Sequence, residues 1–349
     1  MTKAAELAKM GEVLTNSQIG GRRNIIINGA MQVAQRGTSS TGLGAETSLL
    51  LDRFSFGAGS TAGRATMSQV ADVHDGFAKA LKLECTTADT SIAAAEQAYV
   101  IYKFEGQELQ QLKKGTSDAE KMTLSFYVKG NAAATYVAEL EDYDNSSRHV
   151  GKTFNVTTSW NRVSIIFPAD TTGVLGEDNA VGIALNIHLH SGSNNTSGTG
   201  PRETWGTLSQ SVRVGSGKTS FLDSTSRELY ITGVKLETTQ VTDFIHNTYL
   251  EDMNLCRRYY YNVYYSPPAG NAGYNNSYGT RMPYGIMRSV PSEGYLGTKT
   301  AYPGGVNNNS SHVSEATIRT NQAVSVRWQY SGDNSKNYFD VDMTLDSEL

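Results

Sequence analysis

The sequence predicts an all-β protein: a β-sandwich or barrel, a second and smaller β region behind it, and a short helical arm in front. Three observations carry this. Apolar residues recur at every second position in one segment after another. Gly supplies 34 of the 349 residues and Pro only 7, a make-up suited to short strands joined by small-residue turns. Hydrophobic residues at 38% and charged residues at 18% fall below globular averages, with Gly, Ser, Thr and Asn filling the gap. Tyr and aliphatic residues are nevertheless too many for a disordered chain, and no three-residue glycine period points to collagen.

The elements follow in chain order. Residues 4–14 place Leu7, Met10 and Leu14 on one face of a short amphipathic helix. Eleven residues are marginal as a lone helix, so the arm is either a frayed terminus or an attachment and oligomerisation device. Gly20-Gly21 makes a joint after it. Ile25-Ile26-Ile27 reads as a short buried strand, with Asn28-Gly29 turning behind it. Arg53–Phe56, Lys79–Glu84, Met122–Val128, Thr135–Leu140 and Arg162–Phe167 all alternate. Val181–His190 puts Ile183, Leu185, Ile187 and Leu189 on one face, and Glu228–Glu237 gives Leu229, Ile231, Val234 and Leu236. Strands at this spacing indicate a sandwich or barrel rather than alternating α/β units. A helical turn is expected on the surface near Glu105–Lys113, and residues 190–218 read as a solvent-exposed connection. Trp160 is expected in the core, and Arg36 and Arg53 pair with sandwich carboxylates. Thr248-Tyr249-Leu250-Glu251 has capping-box spacing, followed by a short helix and then the strand Tyr259–Tyr265. The domain junction is placed here, giving an arm at 1–22, a sandwich at 23–247 and a C-terminal β domain at 248–349.

Several function classes are excluded or disfavoured. Thirty basic against 34 acidic residues give a charge of −4 and a pI near 5.9, so no nucleic-acid partner is expected. No apolar run reaches the roughly 18 residues that span a bilayer, so no membrane insertion is expected, and the opening residues lack the apolar core of a secretory signal. Cys85 and Cys256 make no disulfide framework. Gly215-Ser216-Gly217-Lys218-Thr219 resembles the end of a P-loop, but Val212 stands where its first Gly belongs. His188 and His190 share a strand face without a third ligand in sight, so both are read as facing solvent or a loop, with no metal and no cofactor expected. Asp142, Asp144 and Asn145 read as a polar hairpin turn rather than a calcium loop. No nucleophile-plus-base pattern stands out, and the protein is expected not to be an enzyme.

Eleven of the 19 Tyr lie between Tyr249 and Tyr302. Tyr is both a strand former and a recognition residue. Flat rings beside amides suit sugars, and Tyr274, Asn275, Asn276 and Tyr278 have that composition, making them the candidate glycan site.

A run of motifs then resembles one family. Arg23–Gly37 with Asp52-Arg53-Phe54 resembles the opening of a bacteriophage tail-fibre module, N-L-I-N-G-x-F-Q-x-x-Q-R-G before a D-R-W/F strand. Thr123–Gly130 is similar to its S-F-W-V-K-G strand, Ser159–Arg162 to its T-W segment and Asp170–Gly173 to its D-T-T-G turn. Tyr230–Glu237 is similar to I-T-G-V-Q-L-E, Leu255–Tyr260 to L-C-Q-R-Y-Y, and Met287–Pro291 to an M-R-x-x-P segment. The terminal Asp346–Leu349 resembles D-A-E-L. The matches keep their order across residues 23–349, although 240–247 lack the family's T-P-F-E-R ending. The resemblance implies a carbohydrate-binding-module-like jelly roll followed by a smaller C-terminal β domain. It also implies a virion location, a homotrimer, and contact with host surface glycans. Residues 2–23 resemble the arm by which marine podophage structural proteins attach to other virion proteins of tail or capsid. A capsid decoration or head-fibre protein, or a glycan-binding module beside a polysaccharide-degrading enzyme, are the alternatives.

Overall fold

Alternation along the strands builds two facing antiparallel sheets. The computed structural model describes residues 2–4, 24–44, 48–145, 147–238, 241–265, 277–283, 285–295, 300–302, 313–320, 323–329 and 338–349. One sheet has six strands in the order β1 (Ser39–Leu43), β4 (Arg64–Val70), β5 (Ala80–Thr87), β13 (Glu228–Thr238), β7 (Met122–Gly130) and β10 (Asn161–Phe167). The other has seven: β12 (Gly206–Thr207), β9 (Arg148–Val156), β8 (Ala134–Asp142), β11 (Val181–Ser191), β6 (Gln97–Glu105), β3 (Phe54–Gly59) and β2 (Ser48–Leu51). The fold is therefore the all-β sandwich that the two-residue period predicts. Ile183, Leu185, Ile187 and Leu189 of β11 face Leu124, Phe126 and Val128 of β7 within one core. Phe126 and Phe154 meet edge to face across it at 5.2 Å.

The alternation in β13 slips between Ile231 and Val234, because a bulge lies between Thr232 and Lys235. Gly233 takes φ +62° there, and a Cβ on it would press into the rings of Phe77 and Tyr127.

Ile25–Ile27 departs from expectation. All three are buried, but the chain turns rather than forming a strand. Asn28 explains it. It adopts φ +58°, which Asn tolerates. Its side chain accepts from Val33 N at 2.9 Å and donates to Val33 O at 2.8 Å and Asp52 O at 3.0 Å. The tight turn at Asn28-Gly29 is present, closed by Met31 N donating to Asn28 O. The turn expected near Glu105–Lys113 is a 3-10 helix over Gly106–Leu112, whose Leu109 and Leu112 are buried rather than on the surface.

Beyond the sandwich, β14 (Tyr260–Tyr265), β20 (Tyr338–Asp346) and β16 (Ser292–Tyr295) form a third sheet, with β17 (Thr300–Tyr302) also on β20. β15 (Ser277–Pro283), β19 (Ala323–Gln329) and β18 (Val313–Thr320) form a fourth. Helix α1 (Tyr249–Cys256) begins with the expected box: Thr248 Oγ1 accepts from Glu251 N while Glu251 accepts from Thr248 N. Ile27, Val33, Cys256 and Tyr259 make a small second core.

Arg36 and Arg53 pair chiefly with carboxylates at the end of the chain. Arg53 is buried and pairs with Glu348, and Arg36 pairs with Asp346 and Glu348 at 3.1 and 3.3 Å. Arg36 also pairs with Asp52 of the sandwich at 4.0 Å, as expected, whereas the partner of Arg53 belongs to the last residues of the chain. Among the described residues no helix is long and apolar enough to cross a membrane.

Candidate functional site

The outer face of the seven-stranded sheet carries the densest chemistry. Alternation that buries Leu140, Ile187 and Val100 in the core sends Glu139, Glu141, Asn186, His188, His190, Tyr99 and His149 to the opposite side. Residues 192–220 then fold back over this face instead of running through solvent. Gly151 N donates to Arg202 O at 2.7 Å, Thr219 N to Thr135 O at 3.0 Å, and Phe221 N to Leu189 O at 2.7 Å. Asn195, Arg213 and Val214 of this segment are buried. His188 and His190 accordingly lie beneath it, each 2% exposed, and do not face solvent.

Arg213 is the segment's main anchor. Its Nε donates to Glu139 at 3.1 Å, and its Nη2 donates to Glu139 at 2.5 Å and Glu141 at 2.6 Å. His149 Nδ1 and His188 Nε2 approach Glu139 at 2.8 and 2.9 Å. Ser209 N donates to His149 Nε2 at 3.4 Å, which assigns the ring proton to Nδ1. Burial alone would raise the Glu139 carboxyl, but His188, His149 and Arg213 hold it well below the usual carboxylate range. Asn186 donates to Glu139 and Glu141 at 3.3 and 3.1 Å. Asn186 Oδ1 and His188 Nδ1 are buried with no partner.

Two tyrosines rim this floor. Tyr143 is 45% exposed, and burial of its hydroxyl, with Glu141 and Tyr99 adding to the effect, pushes the phenol up to about 12. Tyr99 lies across Gly57 of the next strand, where a Cβ would stand 2.7 Å from the ring. Its ring centroid is 5.9 Å from that of His188. Rings that offer an apolar face, beside the Glu141 carboxylate, suit a polyhydroxylated ligand.

The outer face of the six-stranded sheet carries a row of alternating cations and rings. Lys129 Nζ stands 4.4 Å from the Tyr230 ring and 5.4 Å from that of Trp160, and Lys82 Nζ is 5.3 Å from Tyr230. Trp160 is therefore not the core anchor that its place at the start of a strand predicts. It is half-buried on this outer face, with Val163 taking the inward position.

The remaining sequence candidates resolve differently. Tyr274, Asn275, Asn276, Leu7, Met10 and Leu14 lie outside the described residues. Tyr278 stands on β15, and only its backbone is described. Asp142 takes the ammonium of buried Lys114 and the amide of Asn145, and Asp144 accepts from Gly176 N at 2.9 Å, so this segment is a cross-tied turn. Gly215–Thr219 lies in a turn with no helix after it. Cys85 and Cys256 are buried free thiols pushed up by that burial, the opposite of an activated nucleophile.

No family model matches the chain, and no curated protein matches it. Among solved structures, tailspike protein 4 of bacteriophage CBA120 aligns over 62% of this chain at 13% identity with a TM-score of 0.32, and the chain spans 22% of that tailspike chain. A family 11 carbohydrate-binding module of a Clostridium thermocellum cellulase aligns over 59% of this chain and 98% of its own, at 11% identity and a TM-score of 0.30. The N-terminal cellulose-binding domain of Cellulomonas fimi β-1,4-glucanase C aligns over 54% and 90%, at 13% identity and 0.29. At TM-scores this low the overlaps are silent on ligand and partner.

Proposed function

We propose that this protein is a non-enzymatic glycan-recognition component of a phage particle, with its binding surface on the outer face of the seven-stranded sheet. The observation that carries the reading is the pair of rings on that face, half-buried Tyr99 and the exposed Tyr143, beside the Glu141 carboxylate. Rings supply stacking area, and the neighbouring Glu141 carboxylate and tyrosine hydroxyls supply polar partners for sugar hydroxyls. A binding role fits the floor better than hydrolysis does. Glycoside cleavage needs one carboxyl kept protonated as an acid, whereas Glu139 is held ionised and Glu141 shares its guanidinium. The virion role rests on the ordered motifs from Arg23 to Leu349. In that reading residues 1–22 dock on tail or capsid proteins, and the chain works as a homotrimer.

The test is a glycan array of bacterial surface polysaccharides probed with the full chain and with Tyr99→Ala and Tyr143→Ala. Selective binding is expected, weakened about thirtyfold in each variant, the value for a tyrosine hot spot of about 2 kcal/mol. Binding that both variants retain unchanged, or no binding by the parent, would overturn the reading.

A further inference from the structure

His190 faces two carboxylates that sequence spacing gives no reason to place beside it. Its Nε2 lies 3.1 Å from Glu96 Oε2, and one ligand atom from each of Asp89, Glu96 and His190 lies within 4.8 Å of the others. The three residues are 6%, 5% and 2% exposed. Asp89 follows β5 and Glu96 precedes β6, so both flank the crossover between the two sheets, and His190 stands near the end of β11, so the topology brings that crossover and the end of β11 to one point. Backbone bonds fix the meeting: Asp89 N donates to Leu222 O at 2.7 Å and Gly192 N to Glu96 O at 2.7 Å.

The group is short of positive charge. Among the described residues, neither Asp89 nor Glu96 pairs with a lysine or arginine. Asp89 accepts only from neutral donors, Thr61 Oγ1 at 2.7 Å, Ala62 N at 2.8 Å and Ser91 N at 3.3 Å, and Glu96 has His190 alone. Two carboxylates this close, with one imidazole between them, offer a cation a site with charge still to neutralise.

The orientation of the ligands is set from behind. Ser220 Oγ holds His190 Nδ1 at 2.7 Å and itself accepts from Leu222 N at 3.1 Å, the usual arrangement by which an outer hydrogen bond fixes a ligating imidazole. Thr61 does the same for Asp89. A second observation points the same way. A cavity of about 40 Å³ adjoins the group, lined by His188, His190, Ser191, Thr196, Ser220 and Lys218, whose ammonium donates to Ser216 O at 3.2 Å. His188, which also lines it, has a buried Nδ1 with no partner, and the space admits a water.

We propose that Asp89, Glu96 and His190 bind one divalent transition-metal ion of the zinc class, with a water from the adjoining cavity completing the shell. One imidazole with two carboxylates suits zinc better than calcium or magnesium, which take oxygen ligands throughout. Bonds of about 2.1 Å around a tetrahedral ion separate ligand atoms by roughly 3.4 Å, close to the His190–Glu96 distance. The ion ties the β5–β6 connection to the point where residues 192–220 leave β11, and so anchors the segment that covers the sheet.

The test uses the full chain, stripped with chelator and then titrated with Zn²⁺, and with Co²⁺ as a spectroscopic probe. Saturation at one equivalent is expected, with a visible Co²⁺ band of low-symmetry coordination and a rise in melting temperature. Glu96→Gln and Asp89→Asn keep the shape and remove the charge. Each is expected to lower the affinity roughly a hundredfold or more, and Ser220→Ala by about ten- to a hundredfold, with the far-ultraviolet circular dichroism of the metal-free protein unchanged. No saturable Zn²⁺ binding, or binding that Glu96→Gln and Asp89→Asn leave intact, would overturn the proposal. Saturable Ca²⁺ binding with none of Zn²⁺ would also overturn it.

Discussion

Arg213→Met tests how the sheet face is assembled. The guanidinium donates to both Glu139 and Glu141, and Glu139 is completely buried. Removing one partner of a buried ion pair costs about 3–5 kcal/mol, because the other charge is left without compensation. His149, His188 and Asn186 still reach Glu139, so the lower end, about 3 kcal/mol, is expected. For a unit of this size that is a drop of roughly 6–12 °C in melting temperature. Urea unfolding followed by circular dichroism measures it. The double variant Glu139→Gln/Arg213→Met removes both charges, and replacing a buried pair by uncharged groups is often close to neutral. It is therefore expected to be more stable than Arg213→Met alone. A single variant within about 0.5 kcal/mol of the parent would refute the reasoning, since it would mean that residues 192–220 are held by their backbone bonds alone.

Gly57→Val is expected to push the Tyr99 ring off the sheet, given a Cβ contact of 2.7 Å, and to weaken array binding about as much as Tyr99→Ala while circular dichroism is kept. Thr248→Ala removes one half of the capping box and is expected to cost about 1 kcal/mol in urea unfolding. Glu348→Gln leaves the buried Arg53 with a neutral partner, and a loss of about 3 kcal/mol is expected. Acid should unfold the sandwich progressively. Burial works against ionisation of Asp170, but Arg148 and Lys114 overcome it and hold the carboxyl at about 2. A depressed folded-state value means stability that is full above about pH 4 and lost as pH falls from there toward about 2. Glu139 acts in the same direction. An acid titration by circular dichroism that shows no loss until below that window would contradict this.

Much of the sandwich is legible because sheet burial has a period of two. Leu229, Ile231, Val234 and Leu236 are all inward, and even the slip after Ile231 is visible as Gly233. The capping box is a local motif with local partners, and it forms as spaced. What escapes sequence reading is non-local. His190 and Glu96 are 94 residues apart in the chain, and Glu139 meets Arg213 across 74. Residues 192–220 look like a free connection because their composition is polar, yet the polar face they cover needs polar partners. Trp160 misleads because a large ring is read as core, whereas its strand position points outward beside Lys129 and Tyr230. The alternation of Glu139 and Glu141 against Leu140, with His188 against Leu189, was the available signal for a buried polar floor.

A crystal structure of the full chain with the best array oligosaccharide tests the proposed glycan site most directly. A sugar ring stacked on Tyr99 or Tyr143, with a hydroxyl reaching Glu141, is the expected result. A sugar seated instead on Trp160 and Tyr230 of the six-stranded sheet, or on the Tyr274–Tyr278 segment, would contradict it.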